Sequence, residues 1–173
     1  MRIRIGVIAI FVLLCGATTL SQTLGPAATV QAFYRFSNSR SAVFNRKHIE
    51  SRKRWYSPEL YRLFLEELRK EESFLRQHPD EKPFFGDGLT FRPLDEPCQA
   101  NGKSYQRSQS ISRTESGKNR AYVDVKFAYP EACSEALIYY RINLRKLGGR
   151  WLIDDLTYSN GQTLAREMRE NKY

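Results

Sequence analysis

The chain has 173 residues, of which 41% are hydrophobic, and 28 Lys and Arg against 19 Asp and Glu give a formal charge of +9. That length supports one domain with a single sizeable core rather than a multidomain assembly. Its longest apolar run falls short of the ~20 residues that a membrane-spanning helix needs, and the basic balance points to anionic surroundings.

The first residues, "MRIRIGVIAIFVLLCGATTLSQT", place Arg2 and Arg4 before an apolar run from Ile5 to Cys15, followed by small and polar residues. This is the layout of a secretory signal peptide, with cleavage expected after Ser21 and Thr19 at the minus-three position. An uncleaved anchor is one alternative. Acylation of Cys15 is another, although Leu14 is a bulky neighbour for such a site. Removal of residues 1–21 leaves 152 residues and, because Arg2 and Arg4 leave with it, a charge of +7. The expected location is periplasmic or secreted. A basic protein there meets anionic glycans, phospholipid headgroups and cell-wall polymers more readily than chromosomal nucleic acid. No nucleic-acid partner and no stable membrane span after cleavage are expected.

The rest of the chain, residues 22–173, reads as a single domain. Pro26 suits a first helical turn, and Val30, Phe33, Tyr34 and Phe36 fit one amphipathic helix. "NRKHIESRKRW" reads as a short basic helix. "YSPEL" is the clearest start signal: Ser57 as N-cap, Pro58 at the first helical position, Glu59 in the first turn. The stripe Leu60, Leu63, Phe64, Leu68, Glu71 and Leu75 predicts a helix to about Gln77, ahead of Pro79. Residues 78–103 carry Pro and Gly without a clean period and read as a long loop in which Phe84, Phe85 and Phe91 pack down.

Four strands follow. "SYQRSQSISR" reads as a polar edge strand and "ESGKN" as a turn. Val123, Val125, Phe127 and Tyr129 alternate with polar residues. Ile138, Tyr140, Ile142 and Leu144 form one face of the next strand. Gly148 and Gly149 make a hairpin leading into "RWLIDDLTY", and "NGQTLAREMRENK" reads as a turn and a short charged helix. Helices followed by a meander predict an α+β domain.

Cys98 and Cys133 remain after signal removal. In an oxidising compartment two cysteines most simply pair with each other, constraining the unfolded chain by roughly 3.5–4 kcal/mol in the loop-entropy treatment. Two free thiols are the alternative; a redox pair is disfavoured because there is no C-x-x-C.

Four short blocks carry a resemblance: Val30 to Tyr34, Arg54 to Leu60, Phe85 to Gly88 ("FGDG") and Trp151 to Tyr158 ("WLIDDLTY"). They resemble a family of bacterial exported domains of unknown function within the nuclear-transport-factor-2-like (cystatin-like) superfamily. To the N-terminal helices packed on a curved four-stranded antiparallel sheet and the short C-terminal helix that the element order predicts, the resemblance adds a cone-like half-barrel with a pocket between sheet and helices. The family often continues "FGDG" with Asp and Pro, where this chain has Leu89 and Thr90. It supplies no activity, and the superfold hosts isomerases, dehydratases, binding modules and adaptors alike.

The acid pair Asp154–Asp155 is the most conspicuous chemical feature. Strand alternation sends the two to opposite faces, Asp155 with Trp151 and Ile153 and Asp154 with Leu152 and Leu156, which disfavours a carboxylate dyad. Asp155 is either a polar anchor or general base lining a pocket, or a structural carboxylate accepting backbone or Arg hydrogen bonds. His48 and His78 lack a triad or ligand spacing, and neither a metal nor a cofactor is expected. Asp87 suits a turn. The basic run Arg46, Lys47, Arg52, Lys53 and Arg54 is an anion-binding patch or a solvated helix face.

The leading expectation is a non-enzymatic binding module with Trp55, Tyr140, Trp151 and Asp155 framing a small ligand. An envelope partner or inhibitor using the 78–103 loop, and an isomerase or dehydratase using Asp155 as base, are the alternatives. Oligomeric state is left open.

Overall fold

The computed structural model describes residues 24–88, 91–93, 96–133 and 136–172, so the expected signal segment lies outside the described residues. Helices α1 (Pro26–Asn38), α2 (Arg46–Arg52) and α3 (Pro58–Gln77) come first, with a 3₁₀ turn at Lys53–Trp55 between the last two. Strands β1 (Cys98–Ala100), β2 (Lys103–Tyr105), β3 (Ser108–Ser116), β4 (Arg120–Ala128), β5 (Ile138–Leu147) and β6 (Arg150–Thr157) follow, and α4 (Leu164–Glu170) ends the order. The fold is α+β, with a four-stranded antiparallel sheet ordered β3-β4-β5-β6 and a separate β1-β2 hairpin. No helix among the described residues is long and apolar enough to cross a membrane.

The helix signals act as their chemistry requires. The Ser57 hydroxyl accepts the Leu60 N–H at 3.2 Å, Pro58 opens α3, and α3 ends at Gln77. Asn45 and Thr163 cap α2 and α4 in the same way. The core joins Val30, Phe33 and Tyr34 of α1 to Leu60, Leu63, Phe64 and Leu68 of α3. From the sheet it takes Val123, Val125 and Phe127 of β4, Ile142 and Leu144 of β5, and Ile153 and Leu156 of β6. Helix α1 contacts β3, β4 and β6, whereas α3 contacts β6 and α4. Full burial of one such aliphatic or aromatic side chain contributes about 1.5–3 kcal/mol.

Five local expectations are corrected. The 78–103 loop contains β1 and the start of β2, because Asn101 and Gly102, at φ of 52° and 71°, form a tight turn between them. Strand β3 runs on to Ser116, with the turn confined to Gly117–Asn119. Tyr129 falls beyond β4, where its hydroxyl donates to the Glu96 carbonyl and its ring lies under Arg107. Leu75 is 37% exposed, and the interior of the α3 stripe takes Glu67 instead. Alternation also fails inside β6. Leu144 pairs with Ile153 and Asn143 with Asp155, so Asp154 is an extra residue in a bulge and Ile153 and Leu156 are both fully buried. Asp155 therefore does not share the buried face of Ile153.

The carboxylates buried on α3 serve as joints. Glu67 accepts hydrogen bonds from Lys70 at 2.8 Å and from Asn171, and Lys70 also reaches the carbonyls of Met168 and Asn171. Glu71 accepts the Phe85 N–H at 2.5 Å and so anchors the "FGDG" turn. A disulfide joins Cys98 to Cys133, with the two Cα atoms 6.4 Å apart. The outer side of β6 takes bridges from Tyr56 at Ile153 and from Thr163 at Thr157, and β3 forms the opposite margin of the sheet.

Candidate functional site

Tyr140 stands near the start of β5, where the core-facing row Ile138, Tyr140, Ile142 passes from half-buried to fully buried. Its ring packs edge-on against Phe127 at 5.3 Å and Tyr158 at 5.4 Å. Across from these tyrosines lie Phe84 and, from the "FGDG" turn, Phe85, Asp87 and Gly88, together with Arg92, and the space between is a cleft of ≈ 250 Å³. The turn is held at both ends. Gly86 and Gly88 donate to the Pro83 and Phe85 carbonyls, and Lys82 pairs with Asp87 at 2.6 Å. Gly88 has φ +92°, and a Cβ there would sit 2.5 Å from the Ala42 carbonyl oxygen, so the turn rests directly on the chain leading into α2.

Tyr158 is placed by the turn after β6, where its N–H donates to the Gln162 carbonyl at 2.9 Å. Burial pushes its phenol above the usual range, and the neighbouring Glu167 carboxyl adds to the effect. The carboxyl of Glu167 is itself raised, first by burial and also by the charge of Asp155, while its hydrogen bond with Tyr158 works the other way. The phenol stays protonated at neutral pH, and its one O–H is engaged with the Glu167 carboxyl, which leaves the phenol oxygen as an acceptor.

Of the four residues singled out in the sequence, Tyr140 borders this cleft. Trp55 packs against Phe33 and Phe36 of α1 at 6.2 and 6.1 Å, and its indole N–H is buried without a partner. Trp151 lies opposite Lys146, whose ammonium sits 5.6 Å from the ring centre. Asp155 Oδ1 accepts the N–H groups of Leu156 at 2.8 Å and Ala165 at 2.9 Å, which ties the end of β6 to the first turn of α4. Asp154 instead receives Arg145, at 2.8 Å from Nη2. The two acids thus have separate partners.

The histidines are apart as well: the His48 ring bonds the Val43 carbonyl at 2.9 Å, and His78 lies 3.1 Å from Glu81. Among the described residues, no group of three or more His, Cys, Asp and Glu could hold a metal ion. What the cleft offers is aromatic walls and a phenol oxygen beside the Arg92 guanidinium, which itself donates to the Arg107 carbonyl, a set suited to recognition.

Tyr158 and Arg92 were not legible as site residues. Tyr158 follows a strand whose parity is broken by the bulge, and Arg92 lies in a segment without periodicity. Compared with known proteins, the chain matches no family model and no curated sequence.

Proposed function

We propose that this protein is an exported, non-enzymatic binding module that seats a small ligand in the Tyr140 cleft. One observation carries the reading: Tyr140 and Tyr158 form one wall of a ≈ 250 Å³ cleft, and a turn pinned by Glu71 and Gly88 forms the other. Residues distant in the chain are held there by packing and backbone hydrogen bonds, the pre-organisation that binding rewards. In this reading Asp155 positions α4, and with it Glu167 behind Tyr158, while Trp55 and Trp151 support the scaffold.

The helices-then-meander order and the contacts of α1 with β3, β4 and β6 favour membership of the nuclear-transport-factor-2-like superfamily, with the sheet curving into a half-barrel. The Cys98–Cys133 bond favours an oxidising, extracytoplasmic location. The enzyme reading is less favoured, because Oδ1 of its intended base, Asp155, already accepts two backbone N–H groups.

A thermal-shift screen with small aromatic and heteroaromatic compounds tests the proposal. Compounds that raise the melting temperature of the wild type are expected to lose their effect in Tyr140→Ala and to keep most of it in Tyr140→Phe. Hits that act equally on Tyr140→Ala, or a screen in which nothing binds, would count against it.

A further inference from the structure

A second cleft, also ≈ 250 Å³, opens on the other side of Arg92, between the C-terminal end of α1, the end of α2 and the segment entering β3. Four of its described lining residues are arginines, Arg40, Arg52, Arg92 and Arg107, and none is a carboxylate. They arrive from four separate places in the sequence: just past α1, the last turn of α2, the segment after Phe91, and the residue before β3. Arg40 and Arg52 bring two guanidinium charges to one concave space, where positive potential concentrates.

Arg52 is the decisive member. It is 5% exposed, yet its guanidinium donates only to neutral oxygens, the His48 carbonyl at 3.1 Å and the Ser41 carbonyl at 2.9 Å. These bonds use part of the donor set of a guanidinium. Among the described residues no carboxylate pairs with it, although a buried charge ordinarily requires a counter-charge. Arg40 is likewise bonded to neutral oxygens, the Phe36 carbonyl at 2.9 Å and the Ser39 hydroxyl at 3.1 Å. Arg92 donates to the Arg107 carbonyl and Arg107 to the Ala136 carbonyl, and both make further interactions. A second observation is independent of charge. The hydroxyl of Ser37, another lining residue, is buried without a hydrogen-bond partner. A buried orphan hydroxyl is costly until something bonds it.

From this cleft we infer a binding site for a phosphate-class oxyanion, held by Arg52 and Arg40 with Ser37 as an additional donor. Arginine forks match the oxygens of a phosphate bidentately, and a dianion supplies the counter-charge that Arg52 lacks. The same phosphate chemistry could come from free phosphate, a phosphomonoester or a phospholipid headgroup. The site does not depend on the occupant of the Tyr140 cleft.

Isothermal titration at constant ionic strength, with chloride as the balancing salt, tests the inference using inorganic phosphate and glycerol phosphate as probes. Co-sedimentation with equimolar phosphatidylglycerol and phosphatidylcholine vesicles tests the lipid source. Saturable binding of a soluble probe is expected, weakened about tenfold or more in Arg52→Gln and weakened in Arg40→Gln. Arg40 is exposed, so its variant should melt at the wild-type temperature without phosphate, which keeps the test valid if Arg52→Gln folds poorly. Arg166→Gln, on α4 and outside the cleft, should bind as the wild type does. Binding to vesicles alone, lost in Arg40→Gln, would identify the lipid headgroup as the source. The inference is overturned if neither soluble probe nor vesicles bind, or if Arg40→Gln binds like the wild type. It is equally overturned if Arg166→Gln weakens binding as much as Arg40→Gln does, since that marks a diffuse charge effect.

Discussion

Asp155 shows how a residue that reads as chemistry can be a fastener. One carboxylate oxygen serves two N–H groups, one beside it in β6 and one in the first turn of α4. Replacing it with Ala leaves the N–H of Ala165 without that acceptor and removes negative charge from a helix start. Asp155→Ala should therefore lower unfolding free energy by about 1–2 kcal/mol in urea titration, while leaving phosphate affinity unchanged. Asp154→Ala should cost less, within about 1 kcal/mol, because Arg145 is a partly exposed partner. The sequence raised the possibility of a structural carboxylate, but the donors were not legible. One lies ten positions further on, and the bulge at Asp154 changes which way the strand presents its side chains.

Among the elements, α3 was the most legible, because capping, proline placement and an apolar stripe all point to one helix. Of its two buried glutamates, Glu71 stands in the stripe read from the sequence and Glu67 does not, and only the later parts of the chain, Phe85 and Asn171, explain why both are buried. The "FGDG" turn shows the same dependence on distant partners. Its second glycine is dictated by the Ala42 carbonyl, which approaches too closely for any Cβ. Gly88→Ala adds a clash to an unfavourable backbone angle and should destabilise by about 2 kcal/mol or more. Thermal unfolding measures that loss. A widened turn should also weaken any compound that binds wild-type protein beside Tyr140.

For the whole molecule, composition and element order sufficed for an α+β domain, and the expected cysteine pair is present. The clefts were not legible, because each assembles from segments that periodicity cannot bring together: a turn, two helix ends and the segment entering β3. The disulfide closes a separation of 35 residues. Its reduction, or a Cys98→Ser/Cys133→Ser double variant, should cost about 4 kcal/mol by the chain-entropy relation. Denaturant unfolding with and without reductant reads this directly, and two alkylatable thiols in protein prepared under oxidising conditions would refute the bond.

The bridges from Tyr56 and Thr163 along β6 have a consequence for self-association. Polymerisation by strand addition requires two receptive sides on every subunit. In the four-stranded sheet one side is already occupied at Ile153 and Thr157, leaving β3 as the margin of that sheet where another chain could add. Two copies joined through β3 would use up each other's growing margin, so association through this sheet stops at a pair instead of extending into a filament.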